Sequence, residues 1–182
     1  ILEAYDAGLR VFGENKVQEA EPKIAAVNRP DIEWHMIGHL QSNKVKPAVS
    51  LFQMIQSVDS VKLAEKISTE GVAKPQQILL EINISGEEQK YGFQPEEIYN
   101  AIEEAAAFPN IYIAGLMGMA PNGVPVEAKR ASFKKLKSLF SVCKTLKKEN
   151  IKMQYLSMGM SDDFEIANEE GSNMIRLGRA LF

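Results

Sequence analysis

Short apolar, β-branched runs alternate along the chain with longer stretches in which apolar residues recur at helical spacing. This is the pattern of repeated βα units around a parallel sheet. Seven runs read as strands, over 10–15, 33–39, 51–59, 76–85, 111–120, 153–159 and 173–178. Helices are expected over 14–27, 60–70, 95–107, 126–150 and 162–170. Ser60 suits an N-cap and Pro95 a first helical turn, while Ser161, Asp162 and Asp163 place oxygen acceptors and negative charge where free N–H groups need them. The run QQILLEINIS separates Leu80, Ile82 and Ile84 from Glu81, Asn83 and Ser85 on opposite faces, because a strand has a period of two. Strands of an open doubly wound sheet are usually apolar on both faces, so the polar row favours the mouth of a barrel. The opening segment 1–8 reads as the end of a helix, and the repeat implies a strand before it. That strand brings the count to eight and the expectation to a (β/α)₈ barrel of the TIM type.

No break in composition marks a linker, so a single domain over 1–182 is expected. Typical barrels have about 250 residues. The first strand and most of the first helix are expected before Ile1, with a closing helix after Phe182. With 21 basic and 24 acidic residues the net charge is −3, which offers no general attraction to nucleic acid. A single cysteine, Cys143, excludes an internal disulfide and a multi-cysteine metal site. No apolar run reaches the roughly 18 residues of a membrane span, and no signal-peptide pattern opens the sequence. A cytoplasmic protein is expected. The basic run 134–148 reads as the solvated face of an amphipathic helix whose apolar stripe includes Phe133, Leu136, Leu139, Phe140, Cys143 and Leu146.

Two successive runs finish in glycine-containing turns, LSMGMSDD at 156–163 and RLGRALF at 176–182. Barrel enzymes often bind phosphate with the loops after the last two strands. Gly159 and Gly178 would let backbone N–H groups approach the oxygens, and Ser157 would add a hydroxyl, although both glycines equally suit tight turns. Asn15 ends a strand between Glu14 and Glu19 and can either point an amide into the mouth or serve as a cap. His35 and His39 are four apart, a spacing that aligns metal ligands on a helix and not on a strand, so no metal site is expected. His35 reads as a hydrogen-bonded wall residue and Trp34 as packing on the opposite, helix-facing side.

Taken together, FGENKVQE, WHMIGHLQSNK, SVDS, INISGEEQKYGF, GLMGMAP, LSMGMSDD and RLGRALF resemble the motifs of the pyridoxal phosphate homeostasis proteins, in that family's order from Val11 to Phe182. The resemblance implies a barrel like the N-terminal domain of alanine racemase, with pyridoxal 5′-phosphate (PLP) as cofactor. It implies a role in buffering PLP or delivering it to PLP-dependent apoenzymes, without robust catalysis. It places Ser157, Met158, Gly178 and Arg179 around the phosphate, Arg176 near the pyridine nitrogen, and Asn15 and His35 at the cofactor mouth. Lys16 departs from the tyrosine common at that position. The family's Schiff-base lysine belongs to a VSKTKP-like motif ending the first strand, and no such segment occurs here. None of Lys16, Lys44, Lys46 or Lys90 matches it. Two other classes stay open at this level. An amino-acid racemase would need that lysine and an opposing tyrosine, and an unrelated phosphate-binding barrel enzyme would need only the two terminal turns.

Overall fold

The computed structural model describes all of residues 1–182 except Val72, Ala73, Glu88 and Phe182, so one residue of the 82–93 motif and the last residue of the chain lie outside the described residues. Seven strands alternate with helices: α1 (Leu2–Asp6), β1 (Val11–Glu14), α2 (Val17–Val27), β2 (Glu33–Met36), α3 (Val45–Leu51), β3 (Met54–Val58), α4 (Val61–Glu70), β4 (Gln76–Ile82), α5 (Ile98–Ala105), β5 (Ile111–Gly118), α6 (Val126–Cys143), β6 (Ile151–Met160), α7 (Phe164–Glu169) and β7 (Met174–Arg176). A short 3₁₀ turn (Ser42–Lys44) precedes α3. Each strand pairs in parallel with the next, in the order β1 to β7 without reversal. A doubly wound sheet reverses its strand order midway, whereas a monotonic order lets the twist curl the sheet into a barrel wall. Register shifts in four of the six pairings sharpen that curvature. At one of them Gly115 runs so close to β6 that a Cβ would fall 1.8 Å from the Tyr155 carbonyl oxygen.

All seven expected runs form strands, and the differences lie in the helices. Helix α3 was not anticipated, because Val45, Pro47 and Val49 weaken the helical reading of its sequence. Pro47 is tolerated there because first-turn N–H groups have no intrahelical partner. Pro95 lies in the turn before α5, not in its first turn. The helix expected to reach residue 150 stops at Cys143, where the Thr145 hydroxyl donates to the Val142 carbonyl at 2.7 Å and competes with a further helical turn. Ser60 caps α4 as expected, accepting from the Leu63 N–H at 3.3 Å.

The alternation of side chains sorts the apolar residues into two layers. Trp34, Ile55, Ile78, Leu80, Ile82, Leu156 and Met158 belong to a large cluster with the inner faces of the helices. A smaller one within the barrel holds Met54, Leu79, Ala114 and Met117, flanked by Tyr112, Tyr155 and Met174. The inward face is thus apolar at depth and becomes polar toward the C-terminal strand ends. Among the described residues, no helix is long and apolar enough to cross a membrane.

Candidate functional site at the C-terminal strand ends

A cavity of about 710 Å³ opens at this polar end. Gly13 and Asn15 from the end of β1, His35, Gln56 and Arg176 line it, with the 160–162 and 177–179 turns on one side. Sheet-edge strands β1 and β7 both contribute to its wall.

Its floor is a chain of hydrogen bonds that crosses the barrel. The Arg176 guanidinium donates through Nη1 to Ser157 Oγ at 2.6 Å, and the Ser157 hydroxyl donates to Gln56 Oε1, also at 2.6 Å. Gln56 Nε2 donates to His35 Nδ1 at 2.9 Å, which leaves the ring proton on Nε2 to donate to Glu33 Oε1 at 3.0 Å. Every donor points the same way, from a cation at the cavity to a carboxylate at the start of β2. Burial pushes the His35 ring below its ordinary pKa, with the Glu33 carboxylate opposing, which agrees with a neutral imidazole. Arg176 also donates to the Gly118 carbonyl at 3.2 Å. Burial pushes its guanidinium down to about 10, while the Glu81 and Asp163 carboxylates act in the opposite direction.

Glu81 is buried at the end of β4, with Asp59 and Arg176 as its charged neighbours. Burial, and then the negative charge of Asp59, push its carboxyl up to about 7, with Arg176 opposing. Asp59 itself pairs with His39 Nδ1 at 3.0 Å, and the His39 ring stacks on Tyr91 at 3.7 Å between centroids.

The corner beside Gly178 is built by the two terminal turns. Ser161 Oγ accepts from the Gly178 N–H at 3.2 Å and from the Ala180 N–H at 3.3 Å. A hydroxyl has two acceptor positions and one donor, so the Ser161 proton is left to serve an acceptor in the cavity. A Cβ built on Gly178 meets nothing within 4 Å, and its backbone is not in the left-handed region. The turn itself therefore does not require glycine at 178. What glycine provides is open space over two converging N–H groups. Gly159 differs, because its φ of +95° and a Cβ position 2.6 Å from the Ala167 methyl show a glycine required by the approach of α7.

Of the seven expected site residues, Asn15, His35, Arg176, Gly178 and Arg179 line the cavity. Ser157 and Met158 do not. Ser157 lies deeper on β6 with its hydroxyl inside the floor chain, and the Met158 side chain points outward into the helix-facing core. The hydroxyl that lines the cavity at this turn is that of Ser161. Arg179 reaches away to Asp162, at 2.6 Å. Asp163 does not cap α7 forward; its carboxylate turns back to accept the Met160 N–H at 2.8 Å. Glu14 and Glu19 pair with Lys23 and Lys16, so neither carboxylate enters the cavity. Sequence reasoning missed Gln56, Ser161 and Lys129 as residues lining the cavity. The available signal for Gln56 was an amide at an inward position of β3.

The family model described as the alanine racemase N-terminal domain matches residues 1–182. A pyridoxal phosphate homeostasis protein of Aquifex aeolicus is 41% identical over all of this chain and 80% of its own length. PipY of Synechococcus elongatus, solved without PLP, superposes with a TM-score of 0.93 at 35% identity over all of this chain and 85% of PipY. The PLP-bound PipY structure gives a TM-score of 0.89 at 34% identity, again over all of this chain and 85% of PipY. Alanine racemase of E. faecalis shares the fold alone, with a TM-score of 0.78 at 16% identity over 98% of this chain and 47% of its own. By its barrel, the family model and these relatives, the chain belongs to the pyridoxal phosphate homeostasis protein family.

Proposed function

We propose that this protein binds PLP in the cavity at the C-terminal strand ends and serves in PLP homeostasis, holding the cofactor without turning it over rapidly. The observation that carries this reading is the corner at Gly178. Two backbone N–H groups converge on a hydroxyl whose own proton is uncommitted, beneath space that a side chain would fill. The two N–H groups fix the Ser161 oxygen so that its proton can be donated to a phosphate ester, and their dipoles add attraction for the anion. The relatives named for this role, and a neighbour solved with PLP bound, support the same reading.

PLP, when bound, supplies an aldehyde that combines reversibly with amines and a ring that withdraws electrons. The Ser161 hydroxyl, fixed by the Gly178 and Ala180 N–H groups, would hold its phosphate. Arg176, held by Ser157 and the Gly118 carbonyl, would meet the ring nitrogen with a cation, disfavour protonation there and so weaken electron withdrawal. That suits storage or delivery better than carbanion chemistry. Asn15 and neutral His35 would border the mouth, His35 being fixed in one tautomer by Gln56 and Glu33. Ser157 would act through Arg176, and Arg179 through its backbone and its hold on Asp162. Exchange with PLP-dependent apoenzymes and a cytoplasmic setting extend the proposal, following the homeostatic role of the relatives.

Equilibrium dialysis against PLP and against pyridoxal, which lacks the phosphate, tests this reading. Tighter retention of PLP is expected, and equal or undetectable retention of both would contradict it. Gly178→Val is expected to weaken PLP binding by about 10- to 100-fold, the equivalent of one charge-assisted hydrogen bond. Its thermal midpoint should match that of the parent, because the added side chain enters open space.

A further inference from the structure

We infer that Lys129, on the first turn of α6, supplies the side-chain cation that selects a phosphate monoester in this cavity. The inference rests on the PLP reading above and adds a residue to it. The Lys129 side chain is only 14% exposed and lines the cavity beside the 160–162 turn. Its Nζ lies 3.8 Å from Asp163 Oδ2, beyond hydrogen-bond distance, and among the described residues it donates no hydrogen bond. A largely covered ammonium has three donors, so an acceptor bound on the cavity side would stabilise it.

Charge points the same way. Asp163 is buried and already accepts the Met160 N–H, and it faces both Lys129 and Arg176. Asp163 is therefore shared between two cations, of which Arg176 has Glu81 as a further partner. Arg179 is paired with Asp162 and adds nothing to the balance. Lys129 is thus left with a shared carboxylate and unused donors next to Ser161 and the Gly178 N–H, which suits an anion carrying more than one negative charge. The apposed Asp163 would hold the ammonium near the turn while leaving its protons free.

The test compares Lys129→Met and Lys129→Gln with the parent chain, measuring PLP and pyridoxal affinities by dialysis and confirming folding from the thermal midpoint. PLP affinity is expected to fall about tenfold in both variants with pyridoxal affinity unchanged, and Lys129→Arg is expected to recover most of the loss. If the parent prefers PLP to pyridoxal and the variants keep that preference in full, the assignment of Lys129 fails while the cavity reading stands. Equal losses for PLP and pyridoxal would likewise overturn it, by showing a structural role. A parent chain with no preference for PLP would overturn the cavity reading and this inference with it.

Discussion

Replacing Arg176 with methionine is expected to lower the stability of the ligand-free protein by on the order of 3 kcal/mol and to remove measurable PLP binding. The loss of stability follows from what Arg176 leaves behind. Ser157 Oγ loses its donor, the Gly118 carbonyl loses a partner, and the Glu81 and Asp163 carboxylates lose the cation that faces both. Removing one partner of a covered charge cluster costs far more than the net worth of the pair, because the remaining charges are left uncompensated. For a chain of this length the loss corresponds to a fall in Tm of roughly 6–12 °C. Urea denaturation at pH 7 provides the check, and an unchanged midpoint would show that the floor chain is not a structural element. Arg176→Lys keeps the charge but not the forked geometry that reaches Ser157 and Gly118 together, so an intermediate loss is expected.

The second large effect is a pH dependence located at one carboxyl. Glu81 has its pKa raised from 4.5 to about 7, first by burial and then by Asp59, against the opposing Arg176. A carboxyl with a raised folded-state pKa favours folding while it is protonated. Its contribution is therefore complete below about pH 4.5 and is lost as the pH rises through about 7. Integrated over that window the change is roughly 3 kcal/mol, at about 1.4 kcal/mol per pH unit. Glu81→Gln keeps the shape and the neutral state at every pH. The variant should therefore gain on the parent by roughly 2–3 kcal/mol between pH 5 and pH 8. Parallel stability curves for the two proteins over that range would place the titrating group elsewhere.

The strand pattern was legible in the sequence because apolar periodicity reports burial directly. Leu80, Ile82 and Ile84 face the helices and Glu81 faces inward, as the period of two requires. The helix boundaries were less legible, since they turn on local competition such as the Thr145 hydroxyl at the end of α6 and the tolerance of Pro47 at the start of α3. In the candidate site, the identity of the terminal turns was readable and their internal division of labour was not. Ser157 and Ser161 are four residues apart in one motif. Only the position of each residue relative to the end of β6 decides that the first closes the floor chain while the second meets the Gly178 and Ala180 N–H groups. Gly159 and Gly178 likewise look alike in sequence, yet packing against α7 requires the first and open space characterises the second. Lys129 and Gln56 reach the cavity from elements distant in sequence from the glycine turns, so no local motif could reveal them.

A crystal structure of this protein grown with PLP would show whether the terminal turns form a phosphate cup. Phosphate density is expected within hydrogen-bond distance of the Ser161 hydroxyl and Lys129 Nζ, beside the Gly178 and Ala180 N–H groups, with the ring nitrogen toward Arg176. Phosphate density at any other part of the molecule, with the Ser161 corner unchanged and empty, would contradict it.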